Sequence, residues 1–283
     1  MNIFSGLEKF GLKSSENMNL FDDDQKEEGK KEEGRKSEEK APSEEEFLLE
    51  KSVRCKVCDQ VFKTRVVKNG RVKRLEPDKD LRPRFQYIDT LKYDITSCPH
   101  CGYTAMNRYF DQLMPSQEKL IREQIASHFQ GKNELQKTVF TYDEAVDRYK
   151  LSLMNTVVKK GKDSEKAYTC LKIAWLLRGK AETMPSGTPE EQAAKEECQK
   201  EEEVFYQQAY EGFLKAVSKE MFPMCGMEQS TLDYLLAYMA YHFKKYEVAS
   251  KLLASVMASA SASRRMKDMG LELKNEIIAE LRK

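Results

Sequence analysis

The chain of 283 residues has no long apolar runs and few glycines and prolines, and these features mark whole classes of protein. It has no apolar run near the ~18 residues that a membrane-spanning helix needs, and its mean hydropathy is −0.70. Its 13 glycines and 8 prolines are too few for a collagen-like chain or a Pro/Gly-rich disordered one. These shortages exclude membrane-spanning and fibrous proteins, and we expect no membrane partner.

Signals for export and for disulfide bonding are also missing. The first residues, MNIFSGLEKFGL, contain no cationic stretch followed by an apolar one, so they do not resemble a secretory signal. The chain has 7 cysteines, an odd number, which argues against a disulfide framework. We therefore expect a cytoplasmic protein whose cysteines stay reduced.

The usual catalytic motifs are absent from the sequence as well. It contains no Walker loop, Gly-x-Gly-x-x-Gly, nucleophile elbow or His-Glu-x-x-His. His128 and His242 lie in predicted helices with no nucleophile signature beside them. Cys198 and Cys225 are candidates for exposed thiols, but neither has a base nearby to activate it. The sequence gives no reason to propose catalysis, and we expect that the protein is not an enzyme.

Charge, in contrast, is abundant and arranged in opposed blocks. The net charge is only +1, although 34% of the residues are charged. Residues 22–46 carry twice as many acids as bases and no aromatic residue, which predicts a disordered acidic tail over residues 1–46. Residues 51–92 carry 13 bases against 5 acids. With interleaved aromatic residues, this basic block is either a nucleic-acid-binding face or an ordinary solvated surface.

Two cysteine pairs are the strongest chemical signal in the chain. Cys55 and Cys58 form one Cys-x-x-Cys pair, and Cys98 and Cys101 form another, with 39 residues between the pairs. A turn of this kind directs both sulfurs toward one metal, and two such turns give the tetrahedral four-sulfur site typical of zinc ribbons. Gly102, directly after the second pair, fits a tight backbone turn.

The ligand set bears on the identity and role of the metal. Four thiolates favour Zn²⁺, while iron, as in rubredoxin, is the competing metal because it takes the same ligands. Four protein ligands leave no open coordination position, so we expect a structural role. His100 lies inside the second pair, and we interpret it as a loop residue.

Local patterns predict the elements around these cysteines. The segments VFKTRVV and RVKRLE flank Asn69-Gly70, which predicts a β-hairpin with a type I′ turn. Residues 116–129 show helical spacing of apolar residues after Pro115. We expect a zinc-ribbon-like module over residues 47–115.

The remainder of the chain is predicted to be helical, with about six helices over residues 141–283. Thr188-Pro189-Glu190-Glu191 has the sequence of a capping box with proline in the first helical position. One apolar stripe, which we expect in the core together with Trp175, consists of Ala167, Cys170, Leu171, Ala174 and Leu177. Small and large residues spaced as in tetratricopeptide repeats are Leu236, Ala237, Tyr246, Ala249 and Leu253. A generic helical bundle is the alternative.

Several runs of the sequence are similar to a known family. The run YDITSCPHCGYTA, the Cys55-x-x-Cys58 pair and the run YKLSLMNTVVKKGKDSEKAYTCLKIAWLLRGK resemble the bacterial domain-of-unknown-function family 2225, common in Firmicutes. The resemblance covers roughly residues 47–260. It implies a metal role for the four paired cysteines and a zinc-ribbon-type module joined to a tetratricopeptide-like helical region. It implies no activity.

Together these observations predict an α+β fold organised by segments. We expect a disordered acidic tail (1–46), a small β zinc-ribbon-like module (47–115) and an all-α tetratricopeptide-like domain (116–283). The function that fits best is a cytoplasmic zinc-binding adaptor or scaffold whose helical domain binds a protein or peptide partner. The alternative is a nucleic-acid-binding zinc ribbon that uses the basic face of residues 51–92.

Overall fold

Within the described residues, four short strands form two separate antiparallel hairpins. In the computed structural model, which describes residues 41–130 and 138–282, β1 (Leu48–Arg54) pairs with β2 (Val61–Val67), and β3 (Ile95–Ser97) pairs with β4 (Thr104–Met106). The turn of each hairpin holds one Cys-x-x-Cys pair. Residues 1–40, most of the predicted acidic tail, lie outside the described residues.

The hairpin predicted around Asn69-Gly70 is wrong. β2 pairs with the strand that precedes it, in a register that places Leu48 opposite Val67. The Asn-Gly pair does form a turn, and Gly70 has a φ of +86°. However, the residues after it are mostly charged and offer β2 no apolar face. Leu48 and its neighbour Phe47 are buried in an apolar cluster, and this tertiary packing outweighs the local turn signal.

Part of the segment predicted as tail is folded against the β region. A 3-10 turn, Glu44–Phe47, precedes β1. Glu44 accepts hydrogen bonds from Lys92 at 2.7 Å and from the Tyr93 hydroxyl at 2.9 Å. The domain division at residues 46 and 115 otherwise stays a prediction.

Seven α-helices follow in the described chain, six of them beyond residue 141 as predicted. They are α1 (Pro115–Ile121), which continues as a π-helical turn (Arg122–Ala126), α2 (Tyr142–Val158), α3 (Asp163–Thr183), α4 (Pro189–Val217), α5 (Gln229–His242), α6 (Tyr246–Ala258) and α7 (Arg264–Leu281). No helix in the described ranges is both long and apolar enough to cross a membrane. The prediction of a small β region followed by an all-helical part is confirmed.

Sequence signals explain where these helices begin and which of them is central. Thr188 caps α4 by accepting a hydrogen bond from the Glu191 amide at 3.2 Å, so the predicted capping box is confirmed. In α3, Leu171, Ile173 and Leu176 are all fully buried, although they point in different directions around the helix. A helix that is buried all round lies in the centre of a core, and α3 packs between α2 and α4.

The loop between β2 and β3 packs on the helices. Arg82 is almost fully buried and donates a hydrogen bond to Glu182 of α3 at 3.0 Å. Asp80 accepts hydrogen bonds from Trp175 Nε1 at 2.9 Å and from Arg178 at 2.8 Å. The β region and the helices therefore form one compact unit, residues 41–283.

Candidate metal centre

The first cysteine pair lies in a turn held by two backbone hydrogen bonds. The Cys55 amide donates to the Gln60 carbonyl at 2.9 Å, and the Asp59 amide donates to the Cys55 carbonyl at 3.0 Å. Asp59 has a φ of +64°, in the left-handed region. Because the chain reverses here, the two side chains of the pair point to the same side of the turn.

The second turn repeats this pattern. The Cys98 amide donates to the Tyr103 carbonyl at 2.8 Å, and the Gly102 amide donates to the Cys98 carbonyl at 3.0 Å. Gly102 has a φ of +73°, and a Cβ atom at this position would lie 2.4 Å from the Phe129 ring. The tight turn predicted at Gly102 is confirmed, and the space beside it admits only glycine.

The two turns bring all four predicted cysteines together. Their Sγ atoms all lie within 4.8 Å of one another. Cys55 Sγ is 3.6 Å from Cys101 Sγ, and Cys58 Sγ is 3.6 Å from Cys98 Sγ. None of these cysteines forms a disulfide. A tetrahedral site with metal–sulfur bonds of about 2.3 Å needs sulfurs about 3.8 Å apart, so the cluster is a potential metal site whose geometry is consistent with zinc.

The cluster is mostly buried, and its sulfurs affect one another's pKa values. Cys55, Cys98 and Cys101 are buried, while Cys58 is partly exposed. The hydrogen bond between the Cys55 and Cys101 sulfurs lowers the pKa of Cys55 and raises the pKa of Cys101. Contact with Cys101 acts to lower the pKa of Cys98, but Cys55 and burial outweigh it and raise that pKa. The Val57 amide also lies 3.4 Å from Cys55 Sγ. A thiolate is therefore favoured at Cys55, and thiolate is the form of cysteine that binds metals.

Each turn is fixed from outside by one polar side chain of a helical segment, which the sequence reasoning missed. Arg122, the first residue of the π-helical turn that follows α1, donates to the Val57 carbonyl at 2.6 Å. Asn155 of α2 donates to the Gly102 carbonyl at 3.1 Å. Asn155 could have been found from the sequence by its pattern: Ser152, Asn155 and Thr156 are polar residues at helical spacing, and all three are buried on α2. These contacts couple the two cysteine turns to the helices.

The remaining candidates are divided between surface and core. His100 is exposed in the second turn, as expected of a loop residue. Cys170 lies in the core as predicted, and burial raises its pKa to about 11. The expectation that Cys198 or Cys225 is exposed is wrong, since both are buried and burial raises the pKa of each. Trp175 is buried as predicted.

The basic block of residues 51–92 is partly neutralised within the molecule. Seven of its bases form ion pairs with acids of the described chain: Arg54, Lys63, Arg65, Lys79, Arg82, Arg84 and Lys92. Arg71, Lys73 and Arg74 form no ion pair within the described residues. The sequence did not predict which bases are paired, because Arg82 and Arg84 meet Glu182 across about a hundred positions of chain.

Comparison with known proteins gives a family assignment but no closer relative. The sequence model of a family described as an uncharacterized protein conserved in bacteria (DUF2225) matches residues 48–277. No curated protein matches the chain, and no solved structure matches it. The matched range includes both cysteine pairs and nearly all of the helical part.

Proposed function

Because the chain belongs to the uncharacterised bacterial family DUF2225, we propose its function from its own site: it is a cytoplasmic zinc-stabilised adaptor that binds a protein partner through its helical domain. The observation that carries the proposal is the enclosed cluster of four sulfurs, all within 4.8 Å of one another. Four cysteine ligands fill a tetrahedral zinc site and leave no position for a substrate, so the metal stabilises the fold.

The coupling of this site to the helices supports a role in shaping a binding surface. Arg122 and Asn155 connect the two cysteine turns to helical segments. Asp80 and Arg82 connect the following loop to α3. Metal binding by four thiolates contributes on the order of 10 kcal/mol to folding. The zinc therefore stabilises the loop and the surface that this loop forms with the helices.

The close packing of the last three helices on one another supports the adaptor proposal. α5, α6 and α7 have 14, 13 and 18 residues. The small residues Ala237 and Ala249 are fully buried where α5 packs on α6, and Leu253 is buried beside them. Small residues in such positions allow close approach of paired helices, as in tetratricopeptide repeats, which present extended surfaces to peptides.

A role without catalysis is part of the same proposal. Burial raises the pKa of Cys170, Cys198 and Cys225, so these thiols remain protonated and unreactive near neutral pH. Free thiols at all seven cysteines also fit a reducing cytoplasm.

The test of this function combines metal analysis with identification of a partner. We expect colourless purified protein with one zinc per chain, whereas a red protein containing iron would contradict the zinc assignment. Tagged full-length protein is used to capture partners from a bacterium that carries the gene, and each candidate is purified and titrated against it. Saturable 1:1 binding that withstands nuclease treatment supports an adaptor. Capture that nuclease abolishes, with affinity that falls steeply with salt, identifies the nucleic-acid-binding alternative.

A further inference from the structure

A long groove crosses the junction between the β region and the helices. Its upper part, of about 920 Å³, lies between the β1–β2 hairpin, the loop before β3 and helix α3. Its lower part, of about 420 Å³, continues between that loop and helices α5 and α7. Pro83, Tyr168 and Trp175 line both parts, so the two cavities adjoin each other at these three residues.

The groove is strongly cationic. Its described lining includes a single acid, Asp94, and this acid is already paired with Lys172. The lining contains six bases: Lys51, Lys68, Arg71, Arg74, Lys172 and Arg265. Lys51, Lys68, Arg71 and Arg74 form no ion pair within the described chain, and Lys68 donates only to the Glu46 carbonyl. Four bases without an acidic partner in one groove favour an anionic ligand.

The lower part adds an apolar pocket beside these charges. Met227, Met266 and Met269 line it, and each is partly exposed. Leu235 lies fully buried at its floor. Methionine side chains are unbranched and adaptable, and they form binding surfaces that accept varied large apolar side chains. Arg74 and Arg265 lie at this pocket. Arg265 is paired with Glu76, whereas Arg74 forms no ion pair within the described residues, so an apolar group bound there has one unneutralised cation next to it.

Three of the four aromatic rings that line the groove are not available for base stacking, and the fourth, Phe85, is partly exposed and packs against the cluster that contains Phe47 and Leu48. Trp175 is almost fully buried, and its Nε1 is engaged by Asp80. The Tyr168 ring is covered by Lys172, whose Nζ is 4.5 Å from the ring centroid. Tyr93 is buried. Proteins that bind single-stranded nucleic acid present open aromatic faces along a basic groove, so these contacts favour a peptide over a nucleic acid.

We propose that this groove binds an acidic peptide segment of a partner protein, with the carboxylates at Lys51, Arg71 and Arg74 and one large apolar side chain in the methionine pocket. The inference rests on the proposed adaptor function and specifies the chemistry of the partner. Charge complementarity provides specificity and a fast association rate, and the apolar anchor adds buried area.

A phage-displayed library of random 12-residue peptides, selected on the zinc-loaded full chain, tests the proposal directly. We expect selected peptides to be rich in Asp and Glu around one Leu, Phe, Met or Trp. In Arg71→Glu/Arg74→Glu, binding of these peptides should weaken at least tenfold. In Met266→Ala, the same peptides should bind severalfold more weakly. Both arginines are exposed, so zinc content and melting temperature should stay unchanged.

Lys200→Glu/Lys251→Glu is the matched control, because it makes the same change in net charge on exposed parts of α4 and α6 outside the groove. It should leave peptide binding within twofold of the original chain. Selected peptides without acidic character, equal binding to the groove variant and the control, or an empty selection would each overturn the groove assignment. Tighter binding of a labelled oligothymidine to the groove would overturn it in favour of nucleic acid.

The outcome is distinguishable from a failure of the proposed function. If a captured partner binds Arg71→Glu/Arg74→Glu as tightly as the original chain, the adaptor function stands and the groove proposal fails. If no partner is captured while acidic peptides bind the groove as expected, the specificity of the groove for acidic peptides stands and the adaptor function fails.

Discussion

Trp175 donates its indole Nε1–H to Asp80 at 2.9 Å, across 95 positions of sequence. Asp80 is fully buried and also accepts a hydrogen bond from Arg178 at 2.8 Å. One carboxylate therefore accepts hydrogen bonds from the indole N–H of the only tryptophan in the chain and from a half-buried guanidinium on the same helix. This contact joins the loop before β3 to the centre of the helical core.

We predict that Asp80→Asn lowers the free energy of unfolding by about 1–3 kcal/mol, because it removes the fully buried carboxylate between Trp175 and Arg178 and leaves Arg178 with Glu202, at 2.7 Å, as its close charged partner. Urea unfolding followed by tryptophan fluorescence measures the change, and Trp175 itself reports on the contact. Asp268→Asn, on the exposed side of α7, is the control and should change stability by less than about 0.5 kcal/mol. Similar values for the two variants would contradict a central role of Asp80.

The cluster of four cysteines could be predicted from the sequence because its information is local. A Cys-x-x-Cys turn has the same geometry wherever it occurs, so Cys55 and Cys58 specify one half of a site and Cys98 and Cys101 the other. The apolar stripe of α3 was readable for a similar reason, since helical spacing places Leu171 and Ala174 on one side of the helix.

Pairings between distant segments could not be predicted in the same way. The Asn69-Gly70 turn was a correct local signal, but the partner of β2 was decided by the buried residues Phe47 and Leu48. The ion pairs of Arg82 and Arg84 with Glu182 depend on where a long loop crosses α3. Neither outcome has a local signature, because both depend on tertiary packing.

The two glycines with positive φ in the β region should respond differently to alanine. Gly102→Ala places a Cβ 2.4 Å from the Phe129 ring, whereas Gly70→Ala has nothing within 4 Å. Both substitutions carry backbone strain of about 1 kcal/mol. We expect Gly102→Ala to cost at least about 2 kcal/mol in unfolding free energy and to weaken zinc retention, while Gly70→Ala costs only the strain. Equal costs in chemical denaturation would show that Phe129 moves aside freely.

Loss of one predicted ligand should remove the metal and loosen the β region. Cys55→Ser leaves three thiolates, so we expect zinc content to fall from about one per chain to near zero. The melting temperature should drop, and amide hydrogens of the two cysteine turns should exchange faster. Cys198→Ala removes a buried thiol outside the cluster and should retain its zinc. Full zinc in Cys55→Ser, measured by elemental analysis, would contradict the assignment of Cys55 as a ligand.

The ion pairs at Glu182 predict how stability depends on pH. Burial acts to raise the pKa of Glu182, but hydrogen bonds from Arg84 and Arg82 outweigh it and lower the pKa below its ordinary value of 4.5. Because the folded-state pKa is the lower one, the stabilisation by Glu182 is complete well above pH 4.5 and is lost as the pH falls through the folded-state pKa. The carboxylate is partly exposed, so we expect Glu182→Gln to cost only about 1–2 kcal/mol at pH 7. The difference in unfolding free energy between Glu182→Gln and the original chain should shrink steadily as the pH is lowered from 5 to 4. Glu196→Gln, at an exposed position of α4, is the control, and its difference in unfolding free energy from the original chain should not change with pH. If the difference for Glu182→Gln is equally independent of pH, the ion pairs do not stabilise the fold.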